Sequence, residues 1–181
     1  MKRGKRGQVW IETVIYTAIA LLMIGLVLTY AKPKIEEFQD KAILEQSLEM
    51  FRAIDDTIKD IGVAGNKRFV EIGIKKGSLQ IDGENDKIIF EMESQYEYSE
   101  IGKEILLSPD KRIVAYTEKI GGTNKVNFTI NYAEYNVNIT YQKKDEFKIM
   151  GKAPTPYKLL ISNNGKIGGD TLIDISLSGL N

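Results

Sequence analysis

The chain has no cysteine and no histidine among its 181 residues. Without cysteine it can form no disulfide and offers no thiolate, and without histidine it lacks the commonest general base and the commonest metal ligand. No motif elsewhere supplies a nucleophile, a base and a group that orients them. We therefore predict that the protein is not an enzyme and that it needs no cofactor and no metal.

Acidic residues occur in pairs and short stretches that could be mistaken for sites. The stretch D-G-E-N-D at residues 82–86 offers oxygen ligands. It lacks the full alternating pattern of a calcium loop, and an Asp-Gly pair is typical of a tight turn, so we predict a hairpin turn. We expect Asp55 and Asp56 to be solvated charges on a helix surface.

The basic residues are distributed unevenly. The formal charge is zero, with 25 basic and 25 acidic residues, but Lys2, Arg3, Lys5 and Arg6 are all basic. From residue 8 onward the chain therefore carries 21 positive against 25 negative side chains. An acidic body of this kind does not suit a polyanion, so we predict no nucleic-acid partner.

A long apolar run follows this basic segment. Thr13 to Ala31 contains no charged residue, and its length is close to the roughly 20 residues that a helix needs to cross a bilayer. By the positive-inside rule, the basic flank places the N-terminus in the cytoplasm and the residues after Lys32 outside. We expect a single span with an external body.

Two ordinary explanations of this N-terminus leave features unexplained. A secretory signal peptide has a shorter apolar region and a small-x-small cleavage site, of which T-Y-A at residues 29–31 is a poor version. A plain signal anchor accounts for the charge and the length but not for Glu12 at the edge of the run. An acid near the interface costs less than the roughly 2.5 to 3.5 kcal/mol found at a helix centre, so Glu12 argues only weakly against an anchor.

The whole opening stretch resembles the class III signal peptide of archaeal type IV pilins. It has basic residues, then Gly7, Gln8, an acid at Glu12 and an uninterrupted apolar helix. The resemblance implies that a prepilin peptidase cuts between Gly7 and Gln8, which makes Glu12 the fifth residue of the mature chain. It also implies that Glu12 pairs with the new N-terminal amine of a neighbouring subunit during assembly by the pilus machinery.

Archaellins, the subunits of the archaeal swimming filament, have a similar layout. They usually begin with small and Gly-rich residues after the cut, whereas this chain continues with the bulky sequence Q-V-W-I-E-T-V-I-Y. We therefore favour a pilus over an archaellum. The resemblance is specific over roughly residues 2–31 and is only architectural beyond them.

The helical pattern continues past the apolar run. Pro33 removes one backbone donor, so we expect a kink there, and Gly62 is a natural stop. The sequence predicts one long helix over residues 8–62, apolar in its first half and amphipathic in its second. The apolar positions of the second half are Ile35, Phe38, Ala42, Leu44, Leu48, Phe51, Ile54, Ile58 and Ile61.

The period changes to two beyond Gly65. Nine segments alternate apolar and polar residues as strands do, and they are separated by the turn sequences D-G, S-P-D, G-G-T-N and N-N-G. We predict an α+β protein in which the long helix is followed by an antiparallel β-sandwich or barrel over residues 66–181. The strand segments are 69–74, 78–81, 87–93, 112–118, 126–132, 135–141, 146–150, 157–162 and 171–177.

Two of these strands contain N-x-T sequons, at Asn127 and Asn138. Both Asn residues alternate with apolar residues, so we expect them to face solvent and to be candidates for N-glycosylation. The alternative is that they are ordinary polar strand residues. For the strand tyrosines we favour sheet packing over an adhesive or subunit-contact patch; they are Tyr96, Tyr98, Tyr116, Tyr132, Tyr135, Tyr141 and Tyr157.

These patterns lead to one functional expectation and one alternative. The first is a subunit of a type IV pilus-like surface filament, made of residues 1–7 as signal peptide, a helix that forms homo-oligomers, and an extracellular β domain. It would reside in the membrane before assembly and in an extracellular filament afterwards. The alternative is a single-span surface protein whose β domain binds a ligand or mediates adhesion.

Overall fold

The computed structural model describes residues 5–178, and side chains from Val9 onward. Most of the predicted signal peptide, Met1–Gly4, lies outside the described residues, as does the end of the predicted β domain, 179–181. The chain divides into two compact units between Gln39 and Asp40. The second half of the long helix therefore belongs to the same unit as the sheets.

The helix α1 spans Lys5–Asp60, close to the predicted 8–62. Pro33 lies inside it without ending it. The stop at Gly62 is confirmed: this residue has φ 74°, a left-handed conformation that costs glycine little. The side-chain amide of Asn66 donates to the Ile61 carbonyl at 2.8 Å. This carbonyl at the helix end, which has no partner within the helix, is thus satisfied by a side chain.

Ten strands follow the helix and form two sheets. The six-stranded sheet has the order β4-β5-β6-β3-β2-β8, and the four-stranded sheet has the order β1-β9-β10-β7. The strands are β1 (Lys67–Ile72), β2 (Ser78–Asp82), β3 (Lys87–Ser94), β4 (Glu104–Leu106), β5 (Ile113–Ile120), β6 (Thr123–Asn131), β7 (Val137–Tyr141), β8 (Phe147–Gly151), β9 (Tyr157–Ile167) and β10 (Asp170–Leu177). This is an α+β fold with a sandwich-like pair of sheets, as the sequence predicts.

All nine predicted strands have a counterpart, with three differences in detail. The three-residue strand β4 was missed because it is too short to show a period. The N-N-G sequence is not a turn but lies inside β9, where Gly165 has φ 97° at a register shift between β9 and β10. The sheets are also not purely antiparallel, because β10 pairs with β7 in parallel. The intervening β8 belongs to the other sheet, and this crossover lets two strands of one sheet run in the same direction.

The core of the second unit is built on one stripe of α1. Five helix residues and Ile61, directly after the end of α1, are buried at spacings of three or four, and Phe51 lies 6.5 Å from Phe128 of β6 between ring centroids. Burial of each such side chain stabilises the folded state by about 1.5 to 3 kcal/mol relative to leaving it exposed to water. The stripe is Leu44, Leu48, Phe51, Ile54, Ile58 and Ile61. The first residues of the predicted apolar face, Ile35, Phe38 and Ala42, are exposed and lie outside this core.

Candidate functional site

The first unit consists of a helix whose apolar surface is uncovered. Every side chain from Val9 to Tyr30 is exposed, including Leu22 and Leu26 on one side of the helix and Ile24 on the other. A helix that is apolar all round needs lipid or other helices to cover it. By length and composition this helix can span a membrane.

The three threonine hydroxyl groups in this run are already satisfied. Thr13 donates to the Val9 carbonyl at 2.9 Å, Thr17 to the Thr13 carbonyl at 2.8 Å and Thr29 to the Gly25 carbonyl at 2.8 Å. Such bonds to the carbonyl four residues earlier remove the need for an outside partner. The run can therefore enter an apolar environment without an unpaired threonine hydroxyl.

Aromatic residues mark the two ends of the run, a feature that our sequence reasoning did not use. Trp10 and Tyr30 are both more than 70% exposed. Twenty residues of helix separate them, or about 30 Å, which matches the thickness of a hydrocarbon core. Trp and Tyr prefer the membrane–water interface, so their spacing could have been read from the sequence.

Glu12 lies in α1 directly before this run. Its side chain is exposed, and none of the described side chains forms an ion pair with it. Gln8 precedes it by four residues in the same helix, and residues at that spacing lie on one face. For Gly7 and Gln8 only the helical backbone is described, so the cleavage site stays a prediction.

The Asn127 sequon alternates with buried residues as predicted, the Asn138 sequon does not, and neither asparagine is freely exposed. Asn127 is half-buried, and its Oδ1 is shielded without a hydrogen-bond partner. Asn138 is also half-buried, and Thr140 of the same sequon is buried and donates to Asp174 at 3.0 Å. The burial of Thr140 contradicts the expectation that this whole sequon faces solvent. Glycosylation of Asn127 and Asn138 stays a prediction.

The strand tyrosines mostly serve packing. Tyr132 and Tyr141 are buried, and Tyr98 contacts Phe128 edge-on at 5.0 Å between ring centroids. Tyr157 donates its hydroxyl to the Gly151 carbonyl at 3.0 Å. The predicted hairpin at 82–86 is confirmed, because Asp82 accepts hydrogen bonds from the backbone and side chain of Asn85.

An ionic cluster around the buried Asp55 links the helix to the β domain, and sequence reasoning missed it. Asp55 is 1% exposed, which overturns the expectation of a solvated charge there. It pairs with Lys59 and accepts a hydrogen bond from the Tyr132 hydroxyl at 3.2 Å. Lys59 also contacts Asp110 at 2.6 Å, and Arg112 lies 3.8 Å from Asp55. The charges compensate one another, as buried charges must.

This cluster changes the acidity of its members. Hydrogen bonds from Lys59 and Ser108 lower the pKa of Asp110 to about 2. Burial, together with the negative charge of Asp55, raises the pKa of Tyr132 well above its usual value. Because folding lowers the pKa of Asp110, part of the free energy of unfolding depends on pH in the acidic range.

We expect the free energy of unfolding to fall as the pH drops from about 4 to about 2, because Asp110 has a pKa near 3.9 when unfolded and a lower one when folded. Its contribution is present above the unfolded pKa and is lost as the pH falls through the folded one. The side chain is 40% exposed, so screening limits the effect to less than about 1 kcal/mol. Urea titrations of the wild type and Asp110→Asn across this range measure it. If the free energy of unfolding of Asp110→Asn falls with pH as steeply as that of the wild type, Asp110 is not the group responsible.

Comparisons with protein-family models, with curated proteins and with solved structures find no match to this chain.

Proposed function

We propose that the protein is a structural subunit of a type IV pilus-like surface filament. A prepilin peptidase removes residues 1–7, and the apolar part of α1 then leaves the membrane and packs against the same part of other subunits. The β domain forms the outer surface, where Asn127 and Asn138 are candidate glycan carriers. Neighbouring helices replace lipid without a change in the helix, since both present an apolar environment.

One observation carries the proposal: the side chains from Val9 to Tyr30 are exposed on all sides, while the residues from Leu44 to Ile61 bury one stripe. The amphipathic part of α1 in the second unit needs only its own domain to cover its apolar stripe. The part in the first unit is apolar all round and requires an external partner. Glu12 supports a subunit over a plain anchor. An acid in an apolar surface is costly alone and much less so when a neighbour's ammonium pairs with it.

N-terminal sequencing of filaments sheared from cells tests the proposal. We expect chains that begin at Gln8, because cleavage on the cytoplasmic side leaves the apolar helix attached to the body. The alternative, a membrane-anchored surface binding protein, predicts that sheared material contains no such chain and that Met1 is retained in the membrane fraction. Intact Met1 in membranes together with the absence of filaments would overturn the pilus proposal.

We expect a fragment that starts at Lys34 to be soluble and monomeric. It lacks the exposed apolar run but keeps the stripe from Leu44 to Ile61 and both sheets. Size-exclusion chromatography with light scattering measures its mass. Polymers of this fragment would mean that assembly does not depend on the N-terminal part of α1.

A further inference from the structure

The second unit contains a dipeptide with an intrinsic chemical weakness, Asn164–Gly165. In such a pair the backbone nitrogen of Gly can attack the side-chain Cγ of Asn. The nitrogen gives up its proton, ammonia leaves, and a succinimide ring forms. Water then opens the ring to aspartate or isoaspartate, so no further reactant is required. Asn164 is exposed, and glycine has no Cβ to hinder the attack.

The attacking nitrogen is held by a hydrogen bond. The backbone N–H of Gly165 donates to Oδ1 of Asn163 at 2.8 Å. At this point the pairing of β9 with β10 shifts its register between Thr171 and Ile173. A register shift leaves strand residues outside the regular ladder. Here a side chain supplies the acceptor that the neighbouring strand does not.

Asn163 is itself fixed from three directions. It is 4% exposed, and its side-chain amide donates to the Gly62 carbonyl at the end of α1 at 2.7 Å. Its backbone N–H donates to the Asn66 carbonyl at 2.9 Å, and its carbonyl accepts from Gly65 at 2.7 Å. Rotation of the amide would break the bond to the helix end as well as the bond to Gly165. The Oδ1 atom of Asn163 therefore remains hydrogen-bonded to the Gly165 N–H.

We propose that Asn164 is a latent succinimide and isoaspartate site, and that Asn163 is a positioning residue that keeps it unreactive while the end of α1 is docked. Attack requires the Gly165 nitrogen to lose its proton and to turn toward Cγ of Asn164, and the bond to Asn163 opposes both steps. The pair Asp82–Gly83, which can form the same ring with loss of water, is restrained similarly: its Gly83 N–H donates to the Glu146 carbonyl at 3.2 Å. Conversion of Asn164 would add a negative charge beside the helix end, and isoaspartate would also lengthen the β9 backbone by one carbon.

The test follows isoaspartate at residue 164 by peptide mass spectrometry in the full chain, held in detergent at mildly alkaline pH. We expect little product in the native wild type and rapid formation in the urea-unfolded wild type. In native Asn163→Leu, loss of the bond should raise the rate by about tenfold, since one hydrogen bond shifts a local opening equilibrium by that order. Hydrogen exchange at the Gly165 amide should accelerate by a similar factor.

Two variants separate this role from general loosening of the helix end. Asn66→Ala removes the 2.8 Å bond to the Ile61 carbonyl but leaves the Gly165 bond, so it should convert at the wild-type rate. Asn164→Gln should give no product at this position, because its longer side chain would need a larger ring. Native wild type that converts as fast as the unfolded chain overturns the proposal, whether or not Asn163→Leu folds. Equal rates in Asn66→Ala and Asn163→Leu overturn it as well.

Discussion

Glu12→Gln should leave export and cleavage intact and strongly reduce the yield of filaments. Gln enters an apolar region at least as easily as an acid, so membrane insertion is not impaired. In the proposed filament, however, Gln can hydrogen-bond the neighbour's N-terminal amine but cannot neutralise it. A buried charge that loses its partner costs on the order of 3 to 5 kcal/mol, and the loss recurs in every subunit. The measurement is the mass of filament per cell, with cleavage monitored on gels.

Glu36→Gln is the matched control. It makes the same chemical change further along α1, where Glu36 is partly exposed and lies 3.9 Å from Lys32 in a surface pair. Such pairs contribute about 0 to 1 kcal/mol, so the yield should remain near that of the wild type. Equal yields from the two variants would mean that Glu12 is an incidental acid near the membrane interface. The membrane-anchored alternative would then be the better explanation.

Asp55→Ala should lower the free energy of unfolding by about 3 kcal/mol, because it leaves the Tyr132 hydroxyl and two cations without their buried acceptor. The loss lies at the lower end of the range for broken buried pairs, since Lys59 and Arg112 both keep Asp110 as a partner. Urea unfolding of the full chain in detergent, followed by circular dichroism, measures the change. Tryptophan fluorescence is unsuitable, because the single tryptophan, Trp10, lies in the exposed apolar run.

Asp56→Ala is the control at the adjacent helix position. Asp56 is 69% exposed and lies 3.7 Å from Lys59, so its removal should cost less than about 1 kcal/mol. The helix propensity gained by the change to alanine is the same in both variants. Similar losses from Asp55→Ala and Asp56→Ala would show that the buried cluster does not hold α1 to the β domain.

The acid pair Asp55 and Asp56 illustrates where sequence reasoning fails for this chain. Helical periodicity separates apolar from polar positions, and it treats both acids as polar. Only the arrival of Asp110, Arg112 and Tyr132 from distant parts of the chain makes one of them a buried charge. The same holds for Asn163, whose side-chain amide donates to the Gly62 carbonyl 101 positions earlier in the chain. No local pattern marks a residue whose partner comes from such a distant segment.

The sequence by itself determined the long helix, its apolar first half and the nine longer strands. These features depend on interactions between residues a few positions apart, or on composition, and both can be read locally. The tertiary structure alone decided the parallel pairing of β7 with β10, the strand β4, and the burial of Asp55, Thr140 and Asn163. Each of these depends on which surfaces meet after the chain folds, because burial and strand pairing are properties of contacts between distant segments.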